Sequence, residues 1–513
     1  MEVDPKLLLY LVLFFCVTYP LYYLVRSITG PLRNVSGPFL ARFSDLWFAW
    51  QVKTGDFELT NIELHKAYGP IVRYGPNRYS ISDPAAINII YGHGTKFAKS
   101  SWYTPFQVPN HTTIFTERSI KDHSSIRRLY QNTYSMTALV DYEPYVDSCA
   151  DIFSQRLTET AKAGKSIDMA HWFQCYAFDV IAEMTFGKRF GFLDAGQDPE
   201  GLMPTLDQGM FYGAFVGIFP KIHPIATKLM NIMAGKKGSG RTYIHRFTAT
   251  QISAHQESVK GGLKTEKAGK AESFLSKFLT KHQEDPERFT FFRVTAGCST
   301  NIGAGSDTTG ISLSAVFYYL LRNPQYLQKL RDEIEGFPTE SRGSVVSFKE
   351  SQQLPYLQAV IKETLRIHSA TGMPLERVVP EGGASICGTY FPAGTIVGVN
   401  PWVIHRDKQI FGLDAEKFNP DRWFTGDEEK LAAMNRAWIP FGLGSRTCIG
   451  RHISTLEMYK LIPRLIRDFD FRLSPEFADP GSYWKTRNIL FVKPQGLEMT
   501  VSSRNRASPL IAC

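Results

Sequence analysis

Phe441-Gly442-Leu443-Gly444-Ser445-Arg446-Thr447-Cys448-Ile449-Gly450 sets one cysteine in a glycine-rich loop that runs straight into an amphipathic helical pattern. We read Cys448 as the thiolate ligand of a haem iron, because a thiolate donates strongly along the axis through the metal and favours O–O cleavage over oxygen carriage. To stay ionised away from water the sulfur needs positive potential. The loop amides and the N-terminus of the following helix supply it. Gly442, Gly444 and Gly450 let the backbone turn tightly and approach a porphyrin face. Arg446, two residues before the cysteine, is placed to hold a haem propionate through its guanidinium fork. The competing reading is a structural cysteine buried in a turn.

Other strings upstream bear on that choice. Glu363-Thr364-Leu365-Arg366 places an acid and a base on one helix face, three residues apart. Alone it describes any surface ion pair, but Phe418-Asn419-Pro420-Asp421-Arg422-Trp423 follows and leads to the cysteine loop. The helical pattern 292–321 contains Ala304-Gly305-Ser306-Asp307-Thr308-Thr309 and four glycines, 297, 303, 305 and 310. Each interior glycine costs about 1 kcal/mol relative to alanine, so a compensating need is implied. Either a bound group lies against this helix, or the helix packs on a neighbour through its glycines. His123 and Arg127 share a helix face four residues apart, and Arg377 stands in Leu375-Glu376-Arg377-Val378-Val379-Pro380.

In this order the strings resemble the cytochrome P450 superfamily, whose cysteine loop reads F-x-x-G-x-R-x-C-x-G. The resemblance covers nearly the whole chain, and Gly75-Pro76-Asn77-Arg78-Tyr79-Ser80-Ile81-Ser82-Asp83-Pro84 with Lys96-Phe97-Ala98-Lys99-Ser100-Ser101-Trp102-Tyr103 is similar to fungal pisatin demethylase-like members, many of them in secondary metabolism. It implies haem b held by Cys448, Arg446, Phe441, Gly442 and Gly450, with His123, Arg127 and Arg377 at the propionates. It further implies Ala304 and Gly305 beside the bound oxygen, Asp307 and Thr308 as the catalytic proton relay, and Glu363, Arg366 and Arg422 as a buried scaffold network. His123 departs from the tryptophan often found there, and Pro463 falls inside the helix after the loop, where it should kink or shorten it. Trp102, Tyr103, Phe106, Phe211, Phe215, Phe219, Met373 and the stretch from Ile489 to Phe491 are the pocket residues the resemblance suggests. They predict a bulky apolar or aromatic substrate.

The N-terminus is the one abnormal stretch of composition. Residues 7–25, LLLYLVLFFCVTYPLYYLV, carry no charge and are long enough to span a bilayer as one helix. Tyr19, Tyr22 and Tyr23 suit the interface, and the arginines after the span, 26, 33 and 42, put the body on the cytosolic side. No small-residue cleavage site follows, which argues against a signal peptide. We therefore expect an anchor over 1–29 and a single catalytic domain over 30–513, on the endoplasmic reticulum membrane. The net charge of +9 comes without a dense basic tract or zinc-type spacing, so nucleic acid is excluded as a partner in favour of membrane lipid or an acidic redox protein. Seven scattered cysteines without C-x-x-C describe reduced thiols and one special one.

Along the chain, 69–82 reads as a hairpin, Asp83 and Pro84 open a helix to Tyr91, and 140–330 is dominated by helical periodicity. Within it 234–271 reads as exposed loops around a short helix. Short strands return at 384–390 and 395–400. The fold class expected is mainly α with small antiparallel β-sheets, the P450 fold. By the resemblance, the chain is a monooxygenase that hydroxylates, demethylates, epoxidises or desaturates a hydrophobic small molecule. Its electrons would come from NADPH through a cytochrome P450 reductase, with cytochrome b5 as a second donor. Two alternatives stand beside it: a reductase-independent isomerase or dehydratase, disfavoured by the intact Asp307 and Thr308 pair, and a non-enzymatic haem sensor.

Overall fold

A helix of 32 residues, Phe291–Arg322, runs through the main core with most of its side chains buried. The computed structural model describes residues 28–107, 109, 111–199, 201–234, 240–260, 271–338, 346–479 and 484–504, together with Tyr10, Thr18, Leu21 and Val25. The apolar span 7–25 lies, apart from four of its residues, outside the described residues. Among the described residues no helix is long and apolar enough to cross a membrane.

In chain order the elements used below are α1 (Leu46–Thr54), α2 (Phe57–Tyr68), β1 (Ile71–Gly75), β2 (Arg78–Ile81), α3 (Ala85–Tyr91), β3 (Ala98–Lys99), α4 (Ile120–Tyr130), α5 (Glu143–Ala163), β4 (Ser166–Asp168), α6 (Met169–Phe186), α7 (Leu202–Val216), α8 (His223–Ala234) and α9 (Gly240–Lys260). Then come α10 (Phe291–Arg322), α11 (Pro355–Ile367), β5 (Arg377–Val378), β6 (Ala384–Ile386), β7 (Thr389–Phe391), β8 (Ile396–Gly398), α12 (Arg451–Asp468), β9 (Phe469–Leu473), β10 (Thr486–Asn488), β11 (Val492–Pro494) and β12 (Glu498–Ser503). The main core lies between α5, α6, α10 and α12, where Phe153, Phe173 and Phe317 are fully buried. Each contributes about 1.5–3 kcal/mol relative to exposure.

The expected hairpin is present as β1 and β2, paired antiparallel; α3 begins one residue later than expected, with Pro84 in the N-cap place and the Asp83 carboxylate accepting from Ala85 N at 2.8 Å. Four further readings need correction. The largest sheet, ordered β1-β2-β8-β5-β3, is mixed, because β2 and β8 pair in parallel across more than three hundred residues of chain. The stretch 384–390 is not one strand but most of a hairpin, β6 and β7. Its turn holds Cys387 at φ 50° and Gly388 at φ 77°, the double positive φ that matches strand twist. The helix within 234–271 is α9, 21 residues long rather than short; residues 235–239 and 261–270, the loops expected around it, lie outside the described residues. Finally, Pro463 does not shorten its helix: α12 runs on five residues past it to Asp468, with the proline buried.

Of the four glycines of α10, three answer to neighbouring helices. A Cβ on Gly310 would stand 3.1 Å from the Gln174 backbone, one on Gly305 3.2 Å from Ile181, and one on Gly297 2.7 Å from Phe278. Close helix packing is thus what removes the side chain at those positions. Gly303 alone is open, with nothing nearer than Leu206 at 3.8 Å.

Candidate active site

Between α10 and the cysteine loop lies a cavity of about 450 Å³. α10 forms one wall with Ala304, Gly305 and Thr308, and the loop faces it with Phe441, Gly442, Cys448 and Gly450. The loop is shaped by its own backbone. Cys448 N donates to Phe441 O at 2.8 Å, Thr447 N to Gly444 O at 3.1 Å and Gly442 N to Ile439 O at 2.9 Å. Gly442 at φ 69° and Gly444 at φ 68° adopt the left-handed conformation, and a Cβ on Gly444 would overlap the Tyr91 carbonyl. Gly450 differs from the expectation. Its φ of −84° is open to any residue, and what its missing side chain leaves is free space on the cavity face next to Cys448.

Burial pushes the Cys448 thiol up, while the amides of Gly450 and Arg451 and the guanidiniums of Arg127 and Arg451 pull against it. The loop is held from behind by the network at α11. Arg366 Nε donates to Glu363 Oε2 at 2.8 Å and its Nη2 to Oε1 at 2.7 Å, both side chains being fully buried. Arg422 Nε adds a third bond to Glu363 Oε1 at 3.0 Å, and Trp423 Nε1 a fourth to Oε2 at 3.1 Å. Arg366 Nη1 also donates to His405 O at 2.5 Å, and His405 Nε2 accepts from Ile439 N at 2.9 Å, two residues before Phe441. The residues just before the loop are therefore tied to the scaffold pair through His405.

One side of the cavity collects positive charge. Arg377, Arg446, Arg127 and His123 all line it, as expected, and Lys99 joins them. Sequence reading missed Lys99, which pairs with Arg377 across β3 and β5. Arg127 Nη1 donates to Thr447 O at 2.8 Å and Arg377 Nη1 to Glu376 O at 2.8 Å, while Arg446 reaches Glu117 O at 2.5 Å and Arg118 O at 2.9 Å. All these acceptors are neutral carbonyls. No Asp or Glu lines the cavity among the described residues. Burial, then the mutual repulsion of the group, brings Lys99 well below its ordinary value, Arg446 down to about 10 and His123 down to about 3. Arg127, Arg377 and Arg446, crowded together without a counter-charge, fit a bound dianion, with His123 neutral beside them, and the two carboxylates of haem supply one. With the sulfur of Cys448 and the open face at Gly450, the residues present fit that group.

The proposed relay pair is divided by the helix. Thr308 lines the cavity and its Oγ1 donates to Ala304 O at 2.8 Å. Asp307, one residue earlier, points away from the cavity and is buried. Its Oδ1 accepts from Gln174 Nε2 at 2.5 Å and lies 3.2 Å from Lys493 Nζ, while Oδ2 has no partner. Lys493 pairs also with Asp207 on α7 at 2.5 Å. Burial lowers Lys493, but Asp307 and Asp207 outweigh it and hold the ammonium above its ordinary value.

Of the suggested pocket residues, Trp102, Tyr103, Phe106 and Met373 line the cavity. Phe211, Phe215, Phe219 and Ile489 do not. α7 turns Leu206, Gly209 and Met210 inward instead, and Phe211 lies beside the Arg487 guanidinium at 5.8 Å with Phe215 stacked on it at 5.7 Å. From the hairpin β10–β11 it is Leu490 and Phe491 that enter.

Comparison with known proteins shows the family. Residues 42–501 match the cytochrome P450 family. The chain is 37% identical over 478 residues to a pisatin demethylase of Fusarium vanettenii, covering 93% of this chain and 90% of the relative. A cytochrome P450 monooxygenase of Aspergillus terreus is 36% identical over 88% of this chain and 94% of its own, and the monooxygenase pkfB of Emericella nidulans 35% over 94% of both. A cysteine facing a glycine-lined, acid-free cavity, a scaffold triad behind it and family likeness over almost the full length agree: the chain belongs to the cytochrome P450 family of haem-thiolate monooxygenases.

Proposed function

We propose that this monooxygenase oxidises a bulky apolar small molecule in a fungal biosynthetic pathway, and that the Cys448 sulfur would hold the iron of haem b. The observation that carries the reading is the Cys448 sulfur opening onto a cavity whose lining holds cations and, among the described residues, no acid. Arg127, Arg377, Arg446, His123 and Lys99 would hold the two carboxylates of the cofactor. Bound there, haem supplies reductive activation of dioxygen and delivery of one oxygen atom to a carbon of the substrate. Thr308 holds a hydroxyl proton at the cavity face of α10. Asp307 would feed a proton to that position from behind, once Lys493 turns from it and pairs with Asp207 alone. Trp102, Tyr103, Phe106, Leu490 and Phe491 exclude water and set the apolar shape of the substrate.

P450 monooxygenases need a reductase. NADPH-cytochrome P450 reductase would supply the electrons here, with cytochrome b5 as a second donor, docking on the Cys448 side near exposed Arg451, while Lys460, the other basic residue the sequence suggests there, is buried against Glu143 and Asp147. The reaction on carbon would be a hydroxylation, demethylation, epoxidation or desaturation; the name pisatin demethylase supports a demethylation for that relative. Residues 7–25 would anchor the chain in the endoplasmic reticulum membrane with the body in the cytosol. Exposed Phe39, Leu40 and Trp50 just after the anchor support this, as does the apolar stripe Ile225, Leu229 and Ile232 on α8.

The test pairs extracts of the host with and without the gene, then feeds the accumulated precursor to purified protein, reductase and NADPH. Conversion to the missing product only when NADPH is present is the expected result. Conversion without NADPH would replace the reading by the isomerase or dehydratase alternative, and good haem loading with no conversion in either case would favour the sensor.

A further inference from the structure

The first turn of α2, outside the cavity wall, carries a fully buried acid bonded to the hairpin that enters the cavity. Glu58 Oε2 accepts from Asn488 Nδ2 at 2.6 Å, and Oε1 has no partner. Asn488 is the hub of the hairpin tip: its backbone N donates to Gly55 O at 2.7 Å, its Nδ2 also to Gly372 O at 3.1 Å, and its Oδ1 accepts from Leu490 N at 3.2 Å. Leu490 is held at φ 114°, a conformation rarely adopted by any residue with a side chain, and its side chain lines the cavity. Gly372 closes the arrangement. It donates to Leu490 O at 3.2 Å, and a Cβ there would collide with Asn488 and Val492. One turn along α2, Asn61 Oδ1 accepts from Asn400 Nδ2 at 3.1 Å, which donates to Gly372 O as well. Two stretches of cavity wall, at Thr371 and at Leu490, are thus suspended from α2.

We propose that Glu58 is a positioning residue for the substrate cavity: through Asn488 it holds the turn at Leu490 and Phe491 in its strained form, and so sets the room offered to a bulky ligand. Backbone strain persists only where surrounding bonds over-determine it, and the Asn488 amide supplies those bonds. Burial pushes the Glu58 carboxyl up to about 7, with Asp56 adding to the rise and Asn488 and Arg406 opposing it. The other charged or titratable groups around the pair are Arg487, packed over Gly55, and His368, whose Nε2 meets Val492 O at 3.2 Å. Burial brings His368 down to about 4, so it stays neutral near pH 7. An ionised carboxylate accepts an amide N–H more strongly than a protonated one, so the hold on the tip tightens as pH rises through neutrality.

The inference rests on the monooxygenase reading for its optical readout. Haem-loaded full-length protein is titrated with pyridine and with its para-phenyl derivative, both uncharged near neutral pH, and binding is followed by the shift of the haem absorption band. The ratio of the two affinities measures the room for the second ring. For the wild type that ratio should change about threefold or more between about pH 6 and 8. Glu58→Gln, which keeps the bond without ionising, should hold the acid value at every pH, and Glu58→Leu should shift the ratio about threefold or more at every pH. If Glu58→Leu does not accumulate, Asn488→Ala carries the same expectation. Ratios equal to wild type and flat with pH in the variants overturn the proposal. Hydrogen exchange at the Leu490 amide gives a second readout that needs no haem, with exchange about tenfold faster in Glu58→Leu expected and unchanged exchange counting against the proposal. A wild type with no pyridine signal would sink the haem reading instead, and amide exchange would then decide the role of Glu58.

Discussion

Gly444 and Gly450 are both small for a reason, but not for the same reason. At Gly444 the backbone is left-handed and a side chain would overlap the Tyr91 carbonyl, so Gly444→Ala is expected to destabilise the fold by about 2 kcal/mol or more. At Gly450 the backbone is ordinary and the space is open. Gly450→Ala should leave the stability of the haem-free chain within about 0.5 kcal/mol while weakening haem retention. Denaturant titration of the apoprotein beside haem transfer to a scavenger separates the two, and equal loss of stability in both would refute the distinction. Thr308 poses a different question, because its hydroxyl is the cavity-facing member of a divided pair. Thr308→Ala should cut product formed per NADPH consumed by about tenfold while NADPH use continues. Product yield per NADPH equal to wild type would remove Thr308 from proton delivery. Much of this was legible in the sequence, since Cys448, Arg446, Glu363 and Arg366 carry chemistry that few other arrangements need. Lys99 was not legible, because only the pairing of two short strands brings it beside Arg377.

The rotation of a helix is harder to read than its existence. α7 is apolar nearly all round, LMPTLDQGMFYGAFV, so periodicity reports a buried helix but not which face meets the ligand. The phenylalanines were the tempting choice, and the structure turns Leu206, Gly209 and Met210 inward, about a quarter turn or more away from Phe211 and Phe215. The same hundred-degree step separates Asp307 from Thr308 on α10. A swap at each face tests the assignment for α7. Leu206→Phe should reduce the affinity for para-phenylpyridine about tenfold, by filling the cavity, whereas Phe211→Leu should leave it within about twofold of wild type. A larger effect from Phe211 than from Leu206 would mean that α7 presents the other face when ligand is bound. Motif-bearing helices such as α11 were readable in full, since Glu363 and Arg366 define their own inward side. Long-range pairing was not, and the parallel contact of β2 with β8 has no local signal at all.

At the scale of the whole molecule, several titratable groups are buried away from charge, and together they fix how stability depends on pH. His65 and His368 are brought down to about 4 and His405 to about 3, in each case by burial first. Their unfolded values lie near 6.5, so below that pH the unfolded chain binds protons that the folded one refuses. Stability from this source is full above about pH 6.5 and is lost as pH falls toward 4. Two glutamates act oppositely. Glu58 is pushed up to about 7, and Glu457, fully buried with neither oxygen bonded, well above the carboxylate range. The folded state keeps their protons where the unfolded chain, near 4.5, has released them, so stability from these two falls as pH rises above about 4.5, for Glu58 until about pH 7. Asp45 and Asp179, also raised by burial, add to the same side. Opposed slopes place the maximum between about pH 6 and 7, with a change of about 1.4 kcal/mol per pH unit for each proton on either flank. Denaturation midpoints of the haem-loaded protein across about pH 5 to 8.5 measure this directly. Glu457→Gln isolates the alkaline flank, because glutamine keeps the shape and has no proton to lose. Relative to wild type the variant should gain stability as pH rises across about pH 6 to 8, by up to the slope of one proton. A gap that stays constant across that range would mean that Glu457 is ionised in the folded protein, and that its carboxylate has found a partner among groups that now stand apart from it.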